Sequence, residues 1–361
     1  MHEQSPVIDV ALSMLTLVPG GMGGSETYAR ELTGQLATAP GIRATAYVPA
    51  TAAGFSQGID EQIIFQVRGG GSTIERLRAL TSATLFAPSI RREMVQARVV
   101  HFPFTVPVPR PSLGQAFVQT LLDVQHLDLP QLFSRSELLF RRHFYEGAAR
   151  RADAVITISE FAKQRMVELL ALSPEKITVA HLGVDPTEFI PNSGPRENFV
   201  LYPARGWPHK NHARLVEAMS IVRKKIPDMR LVLTGGGLAG LGTLPGWVDR
   251  KGLVSYHELK ALYRSAAVLA FPSLYEGFGL PPLEAMASGC PVAASNAGSI
   301  PEVCGEAAVL FNALDVESIA SGIIEAVDRR DELTSRGAHQ VQNFTWERCR
   351  DVHLAVYRSV A

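Results

Sequence analysis

Short runs of branched and aliphatic residues alternate with longer stretches of helical period along almost the whole chain. In the first half the apolar runs predict strands at residues 8–18, 43–48, 62–67, 98–102, 115–122, 153–158 and 176–180. Several run apolar without alternation, the pattern of a strand covered by helices on both faces. Helical stretches at 25–39, 74–97, 136–150 and 159–170 separate them. Residues 183–197 then carry Pro186, Pro191 and Pro195 with no periodicity, and read as a linker. Beyond it, strands are predicted at 198–204, 229–234, 246–251, 267–272, 291–295 and 307–311. Helices are predicted at 212–225, 256–265, 281–288 and 315–329. Alternating strand–helix units imply doubly wound parallel sheets. The fold class is therefore α/β, with two such domains over residues 1–190 and 191–344 facing a cleft. The last segment, 345–361, is amphipathic and belongs to no strand–helix pair.

Composition changes this picture little. A chain of 361 residues suits two domains of ~150–200 residues each. Thirty-five basic residues balance 35 acidic ones, which gives no reason to expect a nucleic-acid partner. Cys290, Cys304 and Cys349 stand far apart, in neither a disulfide framework nor a zinc pattern. A reducing cytoplasm is the expected location. The N-terminus lacks the basic region of a signal peptide. The apolar run after it contains Asp9 and ends at Pro19, too short to span a bilayer. Arginines at 135, 141, 142, 150 and 151 put cations on one helical stretch. That stretch is either an ordinary solvated face or a peripheral contact with acidic lipid at the inner face of a membrane.

Three loops carry candidate chemistry. Pro19-Gly20-Gly21-Met22-Gly23-Gly24-Ser25-Glu26 lies between the first strand and the first helix. Glycines there let the backbone approach an anion at a helix N-terminus; a plain tight turn is the alternative. Glu26 stands where a dinucleotide fingerprint needs its third glycine, which argues against a nicotinamide enzyme. Glu276 and Glu284 flank Phe278, Gly279, Leu280 and two prolines at a strand-to-helix junction. Prolines suit a first helical turn, so the amides of Phe278–Leu280 should face the ligand edge of the sheet. Two carboxylates beside an anion site ask for sugar and ribose hydroxyls as donors; otherwise they complement a helix dipole. Arg205 and Lys210 share one short loop after the first strand beyond the linker, which suits a diphosphate. His209 and His212 lack the carboxylate or cysteine neighbours a metal site needs. No Asp-x-Asp occurs anywhere in the chain. Arg205, Lys210 and helix N-termini would then meet a diphosphate's charge without a metal.

Residues 271–287, FPSLYEGFGLPPLEAMA, hold two glutamates separated by seven residues. This segment resembles the signature of retaining glycosyltransferases of group 1 (family 4). Arg205, Lys210 and Asn211, and later Ser295, Asn296, Pro301 and Glu302, are also similar to that family. The resemblance spans nearly the whole chain and is strongest from 198 to 311. It implies a GT-B fold of two Rossmann-like domains, the first taking the acceptor and the second the nucleotide sugar, with the final helix crossing back to the first. It further implies that Glu276 binds the transferred sugar, Glu284 the ribose, and Arg205 and Lys210 the diphosphate beside Phe278, Gly279 and Leu280. Gly23 and Gly24 would meet the phosphates from the other domain. Gly235 and Gly236 follow the next strand, and Leu253 would flank the base. Relatives carry a His-Asp pair after the fifth strand of the first domain. Here Leu122-Asp123 stands at that place, so either His126, the favoured candidate, or Asp123 takes over the sugar contact, or the sugar is held differently; a helix cap or a packing role is the alternative for His126. Ser159 matches a cleft-lining family serine, with a helix cap as its alternative role. The implied activity is metal-independent, cofactor-free hexosyl transfer from a nucleoside diphosphate sugar to a glycan, lipid-linked or small-molecule acceptor. A glucan or sugar-phosphate synthase, and a silent nucleotide-sugar binder, remain the alternatives.

Overall fold

A computed structural model describes residues 7–69, 73–191 and 194–361. The chain divides into two compact units: one contains the residues up to Leu182 together with Trp346–Ala361, the other Gly183–Thr345.

In the first unit the chain runs β1 (Ile8–Ser13), α1 (Gly24–Leu36), β2 (Ile42–Pro49), β3 (Asp60–Ile64), α2 (Thr73–Leu85), α3 (Ala87–Glu93), β4 (Val99–Phe102) and β5 (Ala116–Thr120). It continues through α4 (Gln125–Asp128), α5 (Arg135–Arg141), α6 (Gly147–Arg151), β6 (Ala154–Thr157), α7 (Glu160–Leu170) and β7 (Ile177–Val179). The seven strands form one parallel sheet in the order β3-β2-β1-β4-β5-β6-β7. Every residue of β4 and β6 is buried, so neither strand shows the alternation of a half-exposed one.

The second unit holds β8 (Glu197–Pro203), α8 (His212–Lys225), β9 (Arg230–Thr234), β10 (Val248–Gly252), α9 (Tyr256–Ser265), β11 (Ala266–Phe271) and α10 (Leu280–Ala287). After these come β12 (Val292–Ser295), α11 (Ile300–Cys304), β13 (Ala308–Phe311), α12 (Val316–Asp328) and α13 (Arg330–Gln340). Its six strands are again parallel, ordered β10-β9-β8-β11-β12-β13. Sequence order reverses beside β8 and β11, the place where doubly wound sheets open a crevice at their carboxyl edge.

Some elements differ from expectation. The helix predicted over 74–97 is two helices, because Pro88 enters the first turn of α3 and has no N–H to donate backward. The stretch 136–150 contains a π-helical turn at Arg142–Glu146 between α5 and α6. The first strand stops at Ser13 rather than 18, where a turn from Met14 to Leu17 takes over. Helix α13 was missed because Leu333 is its one aliphatic side chain larger than alanine, which leaves no stripe to detect.

The closing helix, α14 (Trp346–Val360), packs on α1, β1, β6 and β7 of the first unit. A buried chain of polar groups fixes it there. Its proton directions follow from one fact: the Cys349 carbonyl can only accept. His353 Nδ1–H therefore donates to Cys349 O at 2.7 Å. Burial pushes His353 down to about 4, so the ring is neutral and Nε2 accepts from the Tyr28 hydroxyl at 2.8 Å. Tyr28 in turn accepts from Thr120 at 2.8 Å. Thr120 accepts from His101 Nε2–H at 2.7 Å, and His101 Nδ1 accepts from Tyr357 at 2.8 Å. Burial also holds His101 well below its ordinary value, with His353 adding to the effect. Five hydrogen bonds thus run in one direction with no donor left over. Thr120→Val breaks the run in the middle and strands the His101 N–H, so it should cost about 2–3 kcal/mol. Tyr357→Phe removes only the terminal donor and should cost about 1 kcal/mol. Urea unfolding of both variants tests the order, and equal costs would contradict the assigned directions.

Candidate active site

The carboxyl edge of the second sheet is built by loops that neighbouring elements pin from several sides. After β8 the chain passes Arg205 and turns at Asn211, whose φ of 62° is a left-handed conformation that asparagine tolerates. Asn211 Nδ2 donates to Pro272 O at 3.1 Å and to Ala313 O at 2.7 Å. The buried Tyr202 hydroxyl donates to Lys210 O at 2.6 Å. So held, Lys210 reaches Glu276, with Nζ 2.5 Å from Oε1. Both side chains are largely shielded, at 14% and 13% exposed. The Glu276 loop is tied down by Ser299, whose N–H donates to Glu276 O at 3.3 Å. Ser299 Oγ lies 3.0 Å from Glu276 O and 2.7 Å from Phe278 O, so its single proton favours the second. Arg205 is half-buried, with its guanidinium 5.4 Å from the Trp207 ring centre.

Helix α10 starts immediately after this loop. Gly279 precedes it at φ 114°, and a Cβ there would sit 2.7 Å from Ile300 Cδ1, so the position admits only glycine. Pro281 and Pro282 have no N–H, which narrows the unpaired amides of the first turn to Gly279 and Leu280. Glu284 follows on the same helix. It is buried, and Oε2 accepts from the Tyr263 hydroxyl at 2.8 Å. Burial raises its carboxyl to about 7 despite Tyr263, with Glu188 adding to the rise and Lys260 opposing it. Gly235, at φ 127°, follows β9, and a Cβ on it would meet Ala204 O at 2.5 Å. Gly236 lies beside Leu253, which is exposed. The edge therefore gathers Arg205, Lys210, Glu276, Phe278, Gly279, Leu280 and Glu284 on neighbouring loops, with Gly235, Gly236 and Leu253 beyond β9. Lys210 and Glu276 neutralise each other and Glu284 is partly protonated at neutral pH, so Arg205 supplies the net charge.

His209 and His212 are both buried and, chiefly for that reason, are pushed down to about 4. Among the described residues no three His, Cys, Asp or Glu side chains form a metal cluster.

In the first unit Gly23 caps α1 and Gly24 begins it. Glu26 folds back so that both carboxylate oxygens accept from Gly20 N–H, at 3.0 and 2.9 Å. The two candidates for the missing histidine part company. Asp123 lines a cavity of about 130 Å³ together with Leu122, Thr105 and Arg141. His126 lies on the single turn of α4, is 1% exposed, and places Nε2 3.3 Å from Glu146 Oε1. It does not line that cavity. Burial and the neighbouring Arg141 push its ring down. Ser159 caps α7, its Oγ accepting from Ala162 N–H at 3.0 Å. Tyr263 and Ser299 position the two glutamates and were not foreseen. Tyr263 carried no signal in sequence, whereas Ser299 falls inside the recognised run from Ser295 to Glu302.

Two family models divide the chain. Residues 185–340 match "Glycosyl transferases group 1" and residues 22–188 match "Glycosyltransferase Family 4". The chain is 28% identical to the O-antigen chain mannosyltransferase B of Escherichia coli over 67% of its own length and 70% of that protein's. It is 34% identical to the MMP alpha-(1->4)-mannosyltransferase of Mycolicibacterium hassiacum over 58% of this chain and 54% of that one. Among solved structures, the sucrose-phosphate synthase of Thermosynechococcus elongatus superposes with a TM-score of 0.79 at 21% identity, covering 98% of this chain and 99% of that one. Anabaena HepE, solved with UDP and glucose, superposes at 0.72 and 17% identity over 98% of this chain and all of that one.

The state of Glu284 sets a pH dependence. Its carboxyl is raised from the ordinary 4.5 to about 7 in the folded protein. The folded state thus binds the proton more tightly, so stability from this group is full below pH 4.5 and lost as pH rises towards 7. Glu284→Gln should flatten that fall and make the variant more stable than the parent at pH 8. Urea midpoints at pH 5 and pH 8 check this; a Glu284→Gln variant less stable than the parent at pH 8 would show that the carboxylate is well solvated.

Proposed function

Since the chain belongs to the group 1 glycosyltransferases and has their GT-B fold, we propose that it moves a hexose from a nucleoside diphosphate sugar to a hydroxyl of a glycan or lipid-linked acceptor. Transfer retains the anomeric configuration and needs no metal, and polysaccharide biosynthesis is its setting. The observation that carries this reading is the Lys210–Glu276 pair, 2.5 Å apart beside the N-terminus of α10. A diphosphate at the Gly279 and Leu280 amides would lie against Arg205 and Lys210. Glu276, whose Oε1 is engaged by Lys210, would accept from sugar hydroxyls through Oε2. Glu284 would take the ribose hydroxyls, and Leu253 would lie against the base.

In this mechanism the bond between the anomeric carbon and the diphosphate oxygen breaks. The acceptor oxygen attacks the same carbon from the same face. Its proton passes to the departing phosphate oxygen, and no protein nucleophile is required. Arg205, Lys210 and the two amides stabilise the charge that builds on the leaving group. Charge-assisted hydrogen bonds of this kind contribute ~1.5–3 kcal/mol each, which supports a reading without a divalent ion. Asp123, at the cavity of the first unit, would contact the sugar or the acceptor; His126, paired with Glu146, would position that region rather than touch it. Among the described residues no helix is long and apolar enough to cross a membrane. Exposed Arg135, Arg142, Arg150 and Arg151 would supply a peripheral contact with acidic lipid, which liposome co-sedimentation can test.

Arg205→Ala should lower kcat by about a hundredfold, or ~3 kcal/mol of transition-state stabilisation. A near-normal rate would remove Arg205 from this role. Treatment with a chelator should leave activity unchanged; a loss restored by Mn²⁺ would overturn the metal-free reading. Thermal shift with UDP-, GDP- and dTDP-sugars identifies the donor, since a ligand at 100 Kd stabilises by ~2.7 kcal/mol. No response from any nucleotide sugar would sink the proposal.

A further inference from the structure

Two adjoining cavities open in the first unit, after β1, β4 and β5. One, of about 120 Å³, is walled by Val18, Leu80, Phe104, Val106 and Phe140. The other, of about 130 Å³, is polar and holds Thr105, Asp123 and Arg141. Met22, Phe104 and Tyr145 line both, so the cavities share a wall. The apolar one is close in size to a ~150 Å³ cavity that takes up a benzene ring.

Arg141 is held in an unusual way for a cation. Its guanidinium lies 4.5 Å from the Phe133 ring centre and 4.9 Å from that of Tyr145. Its natural partner one turn back, Glu137, is engaged elsewhere: its Oε2 accepts from Ser134 N–H at 2.9 Å and from Ser134 Oγ at 2.7 Å in a capping box. Among the described residues no carboxylate lies within ion-pair distance of Arg141. Contact with the two rings holds the guanidinium in place without using its N–H groups, which are left for a ligand. Thr105, on the same wall, sits at φ 70°. A β-branched residue keeps that conformation only where its surroundings impose it; here Gln119 Nε2 donates to its carbonyl at 2.6 Å.

We infer that this double cavity is the acceptor site and that the acceptor is a phosphate-bearing amphiphile. Its phosphate lies on Arg141, its reacting hydroxyl near Asp123, and an alkyl or aryl group of about benzene size in the apolar cavity. The fork of an arginine matches a phosphate in two parallel hydrogen bonds, and a carboxylate such as Asp123 can only accept, which suits a hydroxyl. The assignment of an acceptor rests on the transferase reading above, while the binding chemistry can be measured apart from it.

The probe is n-hexyl phosphate, titrated calorimetrically into the full chain and compared with inorganic phosphate and 1-hexanol. Hexyl phosphate should bind at least tenfold more tightly than either. Arg141→Gln should weaken it tenfold or more while leaving the nucleotide-sugar Kd within twofold and the circular-dichroism spectrum of the folded chain unchanged. Phe140→Gln should erase the advantage of hexyl phosphate over inorganic phosphate without abolishing phosphate binding. Hexyl phosphate binding no better than phosphate, or binding indifferent to Arg141→Gln, overturns the inference. Should Arg141→Gln fail to fold, Arg141→Lys, which keeps the charge but not the planar fork, must still weaken hexyl phosphate at least threefold. Arg141-dependent sedimentation with phosphatidic acid vesicles, absent with phosphatidylcholine, assigns the phosphate to a lipid; hexyl phosphate binding without sedimentation assigns it to a soluble acceptor. Nucleotide-sugar binding without hexyl phosphate binding defeats this inference alone. The converse result defeats the transferase reading instead.

Discussion

On the proposed reading, the second unit is organised around a single electrostatic problem, that of keeping two carboxylates at an edge where a diphosphate would bind. Left ionised and unpaired, Glu276 and Glu284 would repel a diphosphate, and an effective dielectric well below that of water would magnify the repulsion. Each is handled differently. Glu276 is paired with Lys210 at 2.5 Å, so the two contribute almost no net field while keeping their individual hydrogen-bonding capacity. Glu284 is buried, which raises its carboxyl to about 7 despite the hydrogen bond from Tyr263 and removes much of its charge at neutral pH. What remains at the edge is Arg205 and the positive end of a helix whose prolines have reduced its unpaired amides to two.

That solution depends on residues far apart in sequence. Lys210 and Glu276 are separated by 66 positions, and each is placed by its backbone rather than by its own side chain. Asn211 ties the Lys210 loop to the ends of β11 and β13, and Ser299 ties the Glu276 loop to the start of α11. A change at either tether would move the ion pair without touching it. A loss of geometry of about 1 Å is enough to cost two orders of magnitude in a positioned reaction, so on the proposed reading Asn211 and Ser299 would serve the function as much as the fold.

Much of this was legible in the chain because it is written in short-range signals. Glycines and prolines mark the strand-to-helix turns, and unbroken apolar runs mark the buried strands. The run from Glu276 to Glu284 carries both kinds of mark and so singled out the candidate site. Pairings made in space left no such trace. Nothing local to Tyr263 announces that it supports Glu284, and the run from Tyr357 through His101, Thr120 and Tyr28 to His353 joins residues up to 325 positions apart. His126 shows the complementary limit. Its position after the fifth strand suggested a ligand contact, but the direction of a side chain on one helical turn is settled by packing, here against Phe133, Tyr145 and Glu146.

The two units also hold their cations by different physics, and the difference bears on what each can bind. An ammonium paired with a carboxylate offers a ligand direction and donors but little net charge. A guanidinium held over two aromatic rings keeps its whole charge, because aromatic faces stabilise a cation without neutralising it. Lys210 is of the first kind and Arg141 of the second. A diphosphate at the second unit would gain its charge balance from several weak contributions, which suits a group that must leave after reaction. A monophosphate at Arg141 would meet one undivided positive charge, which suits a group that must stay in place while a neighbouring hydroxyl reacts.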